Sequence, residues 1–252
     1  LLGRSDIRQH RFPKLRYVTQ AGGHMPPKHA RELSEILPGV RIYIMYGQTE
    51  ATARLTYLEP ESILEKPGSI GRPIPGVSLE IIKDDGELAR NGEEGEIVAR
   101  GKNVMIGYWN NPEETRKVLR EGKLYTGDIA RMDDDGYLYI VGRRNDIIKS
   151  GAHRISPQEI EEAILEMEGI LEVCVVGIPD AMLGEKIRAV VVPRKECAVD
   201  VNTVKRHCQN KLAKFMIPHE VLFVDELPKT SSAKVRRSLL KNDEAIMRTS
   251  VL

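Results

Sequence analysis

Three short polar stretches in this 252-residue chain carry side chains able to do chemistry: Tyr46-Gly47-Gln48-Thr49-Glu50, Tyr125-Thr126-Gly127-Asp128 and Pro228-Lys229-Thr230-Ser231-Ser232-Ala233-Lys234. Glu50 follows an apolar run and the Gly47 turn. Loops at strand ends commonly hold ligands, and an acid at such a place can equally cap a following helix. Asp128 stands just ahead of another apolar run; a short carboxylate there can accept two neighbouring hydroxyls or serve turn geometry after Gly127. Arg143, fifteen residues further on, either faces the same ligand or is an exposed hairpin arginine. Lys234 ends a polar loop and is a long, flexible point charge, suited to relieving repulsion between two anions in a transition state. Lys229, Arg236, Arg237 and Lys241 lie beside it, so the same stretch also reads as a basic tail, solvated or weakly bound to nucleic acid.

The elements that must position these residues fall into three textures. Leu15 to Thr19 and Val40 to Met45 are strand-like runs around a helix opened by Pro26-Pro27, with Ala30, Leu33, Ile36 and Leu37 on one face. Strand, helix and strand with short connections predict a parallel crossover, the trailing edge of an α/β sheet over residues 1–66. Residues 67–142 carry short alternating runs, a hairpin signal at Asp133-Asp134-Asp135-Gly136 and one helix capped by Asn111, which together predict an antiparallel, β-barrel-like portion or small sheet. From Arg143 on, the Ser156-Pro157-Gln158-Glu159 capping box opens a helix, and alternating helices and strands predict a small α+β domain over 143–252.

Composition narrows the partners. There are 38 basic and 37 acidic side chains, a net charge of +1, which gives no electrostatic reason to expect nucleic acid or an anionic membrane. Cys174, Cys197 and Cys208 are odd in number and lack metal-ligand spacing, arguing against a disulfide framework or a zinc site and for a reducing, cytoplasmic setting. No apolar run approaches the ~20 residues of a membrane helix. The acidic cluster Gly92-Glu93-Glu94-Gly95-Glu96 reads as a solvated turn, and the six histidines show no ligand spacing. The start at Leu1-Leu2-Gly3-Arg4 has no signal-peptide grammar and no initiator Met, the pattern of a fragment.

Taken in order, with Gly142-Arg143-Arg144-Asn145-Asp146 between the last two, the three stretches resemble the adenylate-forming enzymes that activate carboxylates with ATP. That family includes acyl-CoA synthetases, firefly luciferase and the adenylation domains of peptide synthetases. The resemblance runs from about residue 15 to residue 240 and implies an α/β and α+β multidomain fold. Residues 1–142 would be the end of a large adenylation domain, and 143–252 a mobile carboxy-terminal domain hinged near Asn145. It further implies that Gly22 and Gly23 carry adenine on backbone, that Tyr46, Gly47 and Thr49 face the nucleotide, and that Glu50 holds Mg²⁺. Asp128 and Arg143 would close on the ribose, and Lys234 would act at the α-phosphate. Ser150, Gly151 and Ala152 would line the thiol path, with Arg154 reaching the adenylate phosphate or capping the next helix. Trp109 would pack in a structural turn.

The implied cofactors are ATP, Mg²⁺ and coenzyme A as co-substrate, with a small carboxylate as the partner. Carrier-protein phosphopantetheine is the alternative thiol. Family members carry a Ser/Thr/Gly-rich phosphate loop upstream of where this sequence starts, so the chain reads as a carboxy-terminal half, inactive alone. The chain departs from the pattern at Ala233, where the family has Gly, and at Asn145, where it has Asp or Lys. Two rivals from other classes remain: a nucleic-acid-binding basic tail, and a ligase-derived interaction module that binds no nucleotide.

Overall fold

In the computed structural model, which describes residues 5–194, 197, 199–231 and 233–242, the chain divides into units Leu1–Arg144 and Asn145–Leu252. Leu1-Leu2-Gly3-Arg4 and Ser232, interpreted above from sequence, lie outside the described residues.

In the first unit β1 (Tyr17–Gln20), α1 (Pro27–Ile36) and β2 (Arg41–Tyr46) form the parallel crossover, with Tyr17 opposite Arg41 and Gln20 opposite Ile44. Pro27 begins the helix, where a missing N–H costs nothing. Ala30 and Leu33, with Leu37 just beyond the helix, pack on Ile42 and Ile44. Everything after β2 pairs antiparallel: β3 (Thr56–Leu58), β4 (Ser69–Pro73), β5 (Val77–Ile82), β6 (Gly95–Gly101), then α2 (Pro112–Val118), β7 (Leu119–Arg120), β8 (Lys123–Met132) and β9 (Leu138–Arg143). The strand order is β1-β2-β3-β4-β9-β8-β6-β5, with β7 beside β8. The antiparallel portion therefore continues the hydrogen-bonded path of the α/β portion through β3 and β4. That junction is tight: a Cβ on Gly71, at φ +83°, would sit 1.8 Å from the Tyr57 carbonyl oxygen. Asp133 builds the β8–β9 turn, its Oδ1 accepting from the Asp135 and Tyr137 amides at 3.1 and 2.8 Å. Asn111 caps α2 by accepting from the Glu114 amide.

The division falls after Arg144, not after Gly142, because β9 runs on to Arg143 and Arg144 is itself held within the first unit. Its amide donates to the Gly127 carbonyl at 2.8 Å, and its guanidinium pairs with Asp84 at 2.9 Å and Glu96 at 3.2 Å.

The second unit is built on a long hairpin, β12 (Ile170–Asp180) and β13 (Gly184–Pro193), flanked by the short hairpin β10 (Ile148–Ser150) and β11 (His153–Ile155). Helix α3 (Pro157–Leu165) precedes β12; α4 (Val201–Lys211) leads into β14 (Glu220–Phe223), which lies parallel to β13. Both sheet faces are buried. Val175, Ile187, Ala189 and Val191 point into one core with Ile160, Ile164 and Val204, while Cys174, Val176, Val190 and Val192 point into another with Leu240. The alternation follows the two-residue period of a strand. Ser156 accepts from the Glu159 amide and so is the α3 cap, leaving Arg154 exposed in β11 opposite Lys149. Among the described residues no helix is long and apolar enough to cross a membrane.

Candidate active site

The carboxyl ends of the parallel strands β1 and β2 lie on one edge of the sheet, where open α/β sheets bind ligands. Ala21-Gly22-Gly23 leaves β1 there, and Gly47 to Arg54 leaves β2. Gly22 has φ +92°, and among the described residues neither it nor Gly23 has an atom within 4 Å of where a Cβ would stand, so the exposed backbone is open to a flat ligand. Gln20 shapes this turn by donating its side-chain amide to the Gly23 carbonyl at 2.8 Å.

Tyr46, Asp128 and Arg143 meet directly. The Tyr46 hydroxyl donates to Asp128 Oδ2 at 2.7 Å, and Arg143 Nε lies 3.0 Å from Asp128 Oδ1. Asp128 is 4% exposed, whereas the Arg143 side chain is exposed. The pairing follows from β8 and β9 register, which sets Asp128 opposite Arg143. Gly127, at φ +74°, makes the bend in front of Asp128, and its amide donates to Glu96 Oε1 at 2.8 Å. Glu96 is thus not part of a solvated turn: its nearly buried carboxylate ties Gly127 and Arg144 together, because it lies on β6 and not in the turn before it. Burial, then the neighbouring Asp128 carboxylate, hold the Tyr46 phenol well above its ordinary pKa, so it stays a donor.

The β2 exit loop is unusual. Thr52 and Ala53 are consecutive non-glycine residues in the left-handed region, at φ 54° and 66°. A Cβ on Gly47 would lie 2.5 Å from the Ala53 carbonyl oxygen, so glycine is required there. Thr49 is exposed, while Glu50 Oε1 accepts from the Tyr108 hydroxyl at 2.6 Å. That hydrogen bond, with burial behind it, pushes the Tyr108 phenol up to about 12. Asn103 donates its side-chain amide to the Ala51 and Arg54 carbonyls at 3.0 and 2.9 Å. Sequence reasoning passed over Asn103 and Tyr108: a polar residue after Gly101-Lys102 and a tyrosine after Gly107 carry no spacing signal. Trp109, expected to pack in this turn, is 92% exposed, since Tyr108 takes the inward place.

The other expected residues belong to the second unit. Asn145 is its exposed first residue, in a turn and without positive φ. Ser150 is buried at the end of β10; Gly151, at φ 59°, and Ala152 form the β10–β11 turn, with the Gly151 amide donating to the Leu183 carbonyl at 2.8 Å. Lys234 is exposed on a small hairpin in which Lys229 bridges Val235. The Thr230 amide donates to the Lys234 carbonyl at 2.8 Å, and the Lys234 amide donates to Thr230 Oγ1 at 3.2 Å. Two of the four flanking basic residues are engaged in ion pairs. Lys229 pairs with Glu172 at 2.6 Å and Arg237 with Glu161 at 2.8 Å, which weakens the reading of this segment as a free basic tail.

Comparison with known proteins agrees with this arrangement. The family model described as AMP-binding enzyme matches residues 2–109, and that described as AMP-binding enzyme C-terminal domain matches residues 159–234. Curated relatives include a 2-succinylbenzoate–CoA ligase of Geobacillus sp., 40% identical over 94% of this chain and 48% of that protein. A long-chain-fatty-acid–CoA ligase of Bacillus subtilis is 40% identical over 89% of this chain and 40% of its own length. The o-succinylbenzoate CoA synthetase of Bacillus subtilis has been solved with its acyl-adenylate intermediate; it is 33% identical with a TM-score of 0.84, covering 92% of this chain and 47% of that one. The same enzyme solved with ATP and a magnesium ion gives 33% identity and a TM-score of 0.83, covering 92% and 48%. The chain spans about half the length of the curated relatives it matches. On the two family models, the relatives and the fold, this chain belongs to the AMP-binding, adenylate-forming enzymes, in their acyl-CoA-synthetase-like branch.

Proposed function

We propose that the whole protein is an AMP-forming carboxylate–CoA ligase, and that this chain supplies its ribose, magnesium and lysine positions. The observation that carries the reading is the buried Asp128 with Tyr46 and Arg143 on it, at the strand edge from which Gly22-Gly23 and the Glu50 loop emerge. A carboxylate has about four lone-pair sites, so Asp128 can keep its two present donors and still accept a pair of ribose hydroxyls. Gly22 and Gly23 offer the bare backbone against which an adenine would lie.

In this reading Glu50, whose Oε1 accepts from the Tyr108 hydroxyl, would hold the metal as a carboxylate ligand. That suits Mg²⁺, which takes one or two carboxylates and completes its shell with phosphates and water. When bound it would neutralise phosphate charge.

In the first half-reaction a carboxylate oxygen bonds to the α-phosphorus of ATP, and the bond to the bridging oxygen breaks to release pyrophosphate. In the second a thiol sulfur bonds to the acyl carbon, the carbon–oxygen bond to AMP breaks, and the thiol proton is lost. Lys234 stabilises the crowded anions of the first step. By the family's pattern Asn145 would be the hinge, Ser150, Gly151 and Ala152 would line the thiol path, and Arg154 would be the residue that reaches the adenylate phosphate. The relatives named above are CoA ligases, which favours coenzyme A as the thiol. They differ in acid, so the carboxylate is not assigned.

The test is carboxylate-dependent pyrophosphate release from ATP by the full-length protein, over a panel of aryl, aliphatic and dicarboxylic acids with and without coenzyme A. Release with at least one acid, and a thioester when coenzyme A is added, is expected; none across the panel would sink the reading. This chain alone is expected to release none. Lys234→Ala should slow adenylation on the order of 10²–10³-fold while sparing thiolation of a supplied acyl-adenylate. Equal loss of both steps would remove the lysine from the role given to it.

A further inference from the structure

We infer that Asn103 and Tyr108 form a latch that positions Glu50, and thereby sets affinity for the magnesium–nucleotide complex; this rests on the functional reading above. The loop they hold would not keep its shape unaided. Thr52 and Ala53 both occupy a backbone region that side chains disfavour, and such conformations persist only where the surroundings over-determine them.

Asn103 supplies that constraint from three directions. Its side-chain amide donates to the carbonyls of Ala51 and Arg54, on either side of the left-handed pair, and its backbone carbonyl accepts from Thr52 Oγ1 at 2.7 Å. Among the described residues its own Oδ1 is buried with no hydrogen-bond partner. A buried acceptor left unsatisfied is costly, so the side chain is held there for its two donors and at the expense of its acceptor.

The same segment then reaches Glu50 twice. The Met105 amide donates to the Glu50 carbonyl at 2.8 Å, and the Tyr108 hydroxyl donates to Glu50 Oε1. Tyr108 is fixed in turn, its amide donating to Thr115 Oγ1 at 2.9 Å while that hydroxyl donates to the Asn111 carbonyl at 2.8 Å at the start of α2. The chain of contacts thus runs from a capped helix through a phenol to one carboxylate oxygen, leaving the second oxygen for a cation. Removing a group that orients a metal ligand typically costs about 10–100-fold in metal affinity. Tyr108 and Asn103 are therefore positioning residues, acting through Glu50 and not on the nucleotide.

The test is calorimetric binding of Mg-ATP, and separately of AMP without metal, to the full-length protein and its variants. Tyr108→Phe should weaken Mg-ATP binding by about tenfold and raise the Mg²⁺ concentration needed for half-saturation, with metal-free AMP affinity unchanged. Asn103→Asp removes both donors and sets a charge against two carbonyls, so it should weaken Mg-ATP further; if it does not fold, Tyr108→Phe decides. Unchanged Mg-ATP affinity in Tyr108→Phe, or a parallel loss of AMP affinity, would overturn the latch alone. If the unaltered protein bound neither nucleotide, or Glu50→Gln left Mg-ATP binding intact, the functional reading would fall and take the latch with it.

Discussion

Ala233 shows how one residue conditions another. It stands just before Lys234 at φ 62°, in the left-handed region, with its amide donating to the Thr230 carbonyl at 2.9 Å. The family's glycine at this position now has a reason, and the alanine is a strained but workable substitute. A left-handed alanine costs roughly 1–2 kcal/mol, while glycine raises the freedom of the unfolded chain by about 0.4–1 kcal/mol. Ala233→Gly should therefore stabilise by at most roughly 1.5 kcal/mol. Ala233→Val, with a branched Cβ, should destabilise by at least about 1 kcal/mol. Urea midpoints of the two variants check this, and equal midpoints would mean the turn is not held in that conformation. At this scale Glu50, Asp128 and Lys234 were legible through the order of their three polar stretches, which resembles the family's, and not through any one stretch alone. It could not name Asn103, whose role is fixed by carbonyls some fifty residues away in the chain.

Among elements, the parallel crossover was legible because a proline start and an apolar spacing of three to four residues fit only one helix face. The direct ion pair of Asp128 with Arg143 was not, since the resemblance set the two only around a shared ribose. A hairpin with Asp128 and Arg143 at its far ends could be read from Asp133-Asp134-Asp135-Gly136, but their direct pairing depends on a bulge between Ile129 and Ala130 that shifts the register. A one-residue slip turns side chains to the opposite face, and nothing in the local residue types announces it. The segment that follows the Lys234 hairpin, Arg237–Lys241, is likewise positioned by tertiary contacts. Leu240 is buried against Val176 and Val190, and Arg237 donates to the Val175 carbonyl at 2.7 Å while pairing with the nearly buried Glu161. Glu161 in turn accepts from the Val175 amide at 2.7 Å, so the pair clips α3 and this segment to one point of β12. Arg237→Met should destabilise the second unit by about 3 kcal/mol, because it strands a carboxylate. Adding Glu161→Leu should restore a part of that loss, and a double variant less stable than the single would show that the pair is not what holds the segment.

For the whole molecule, each unit carries its own core, and the second holds all three cysteines. Burial raises the Cys208 thiol to about 11 and the Cys174 thiol higher still, whereas Cys197 is exposed. Thiolate is the reactive form, so a thiol reagent at pH 8 should titrate one group quickly in the native protein and three after denaturation. Two fast equivalents would contradict the packing of Cys174 on β12 or of Cys208 on α4. The same shifts give a pH dependence. The folded thiols keep protons that the unfolded chain releases above about 8.5, so stability is intact below that pH and declines as pH climbs toward 11.

The Lys234 hairpin satisfies much of its own backbone: Thr230 bonds to Lys234, Ala233 to Thr230 and Arg236 to Pro228, with Lys229 bridged to Val235. Its shape is therefore written within nine residues, 228–236, and not borrowed from whatever surface the lysine faces. Ordering a backbone residue costs about 1–2 kcal/mol in entropy, and under the role proposed for Lys234 that cost would fall on folding and not on the chemical step. A lysine on such a preformed turn would need only its side chain to settle wherever the proposed chemistry requires the ammonium.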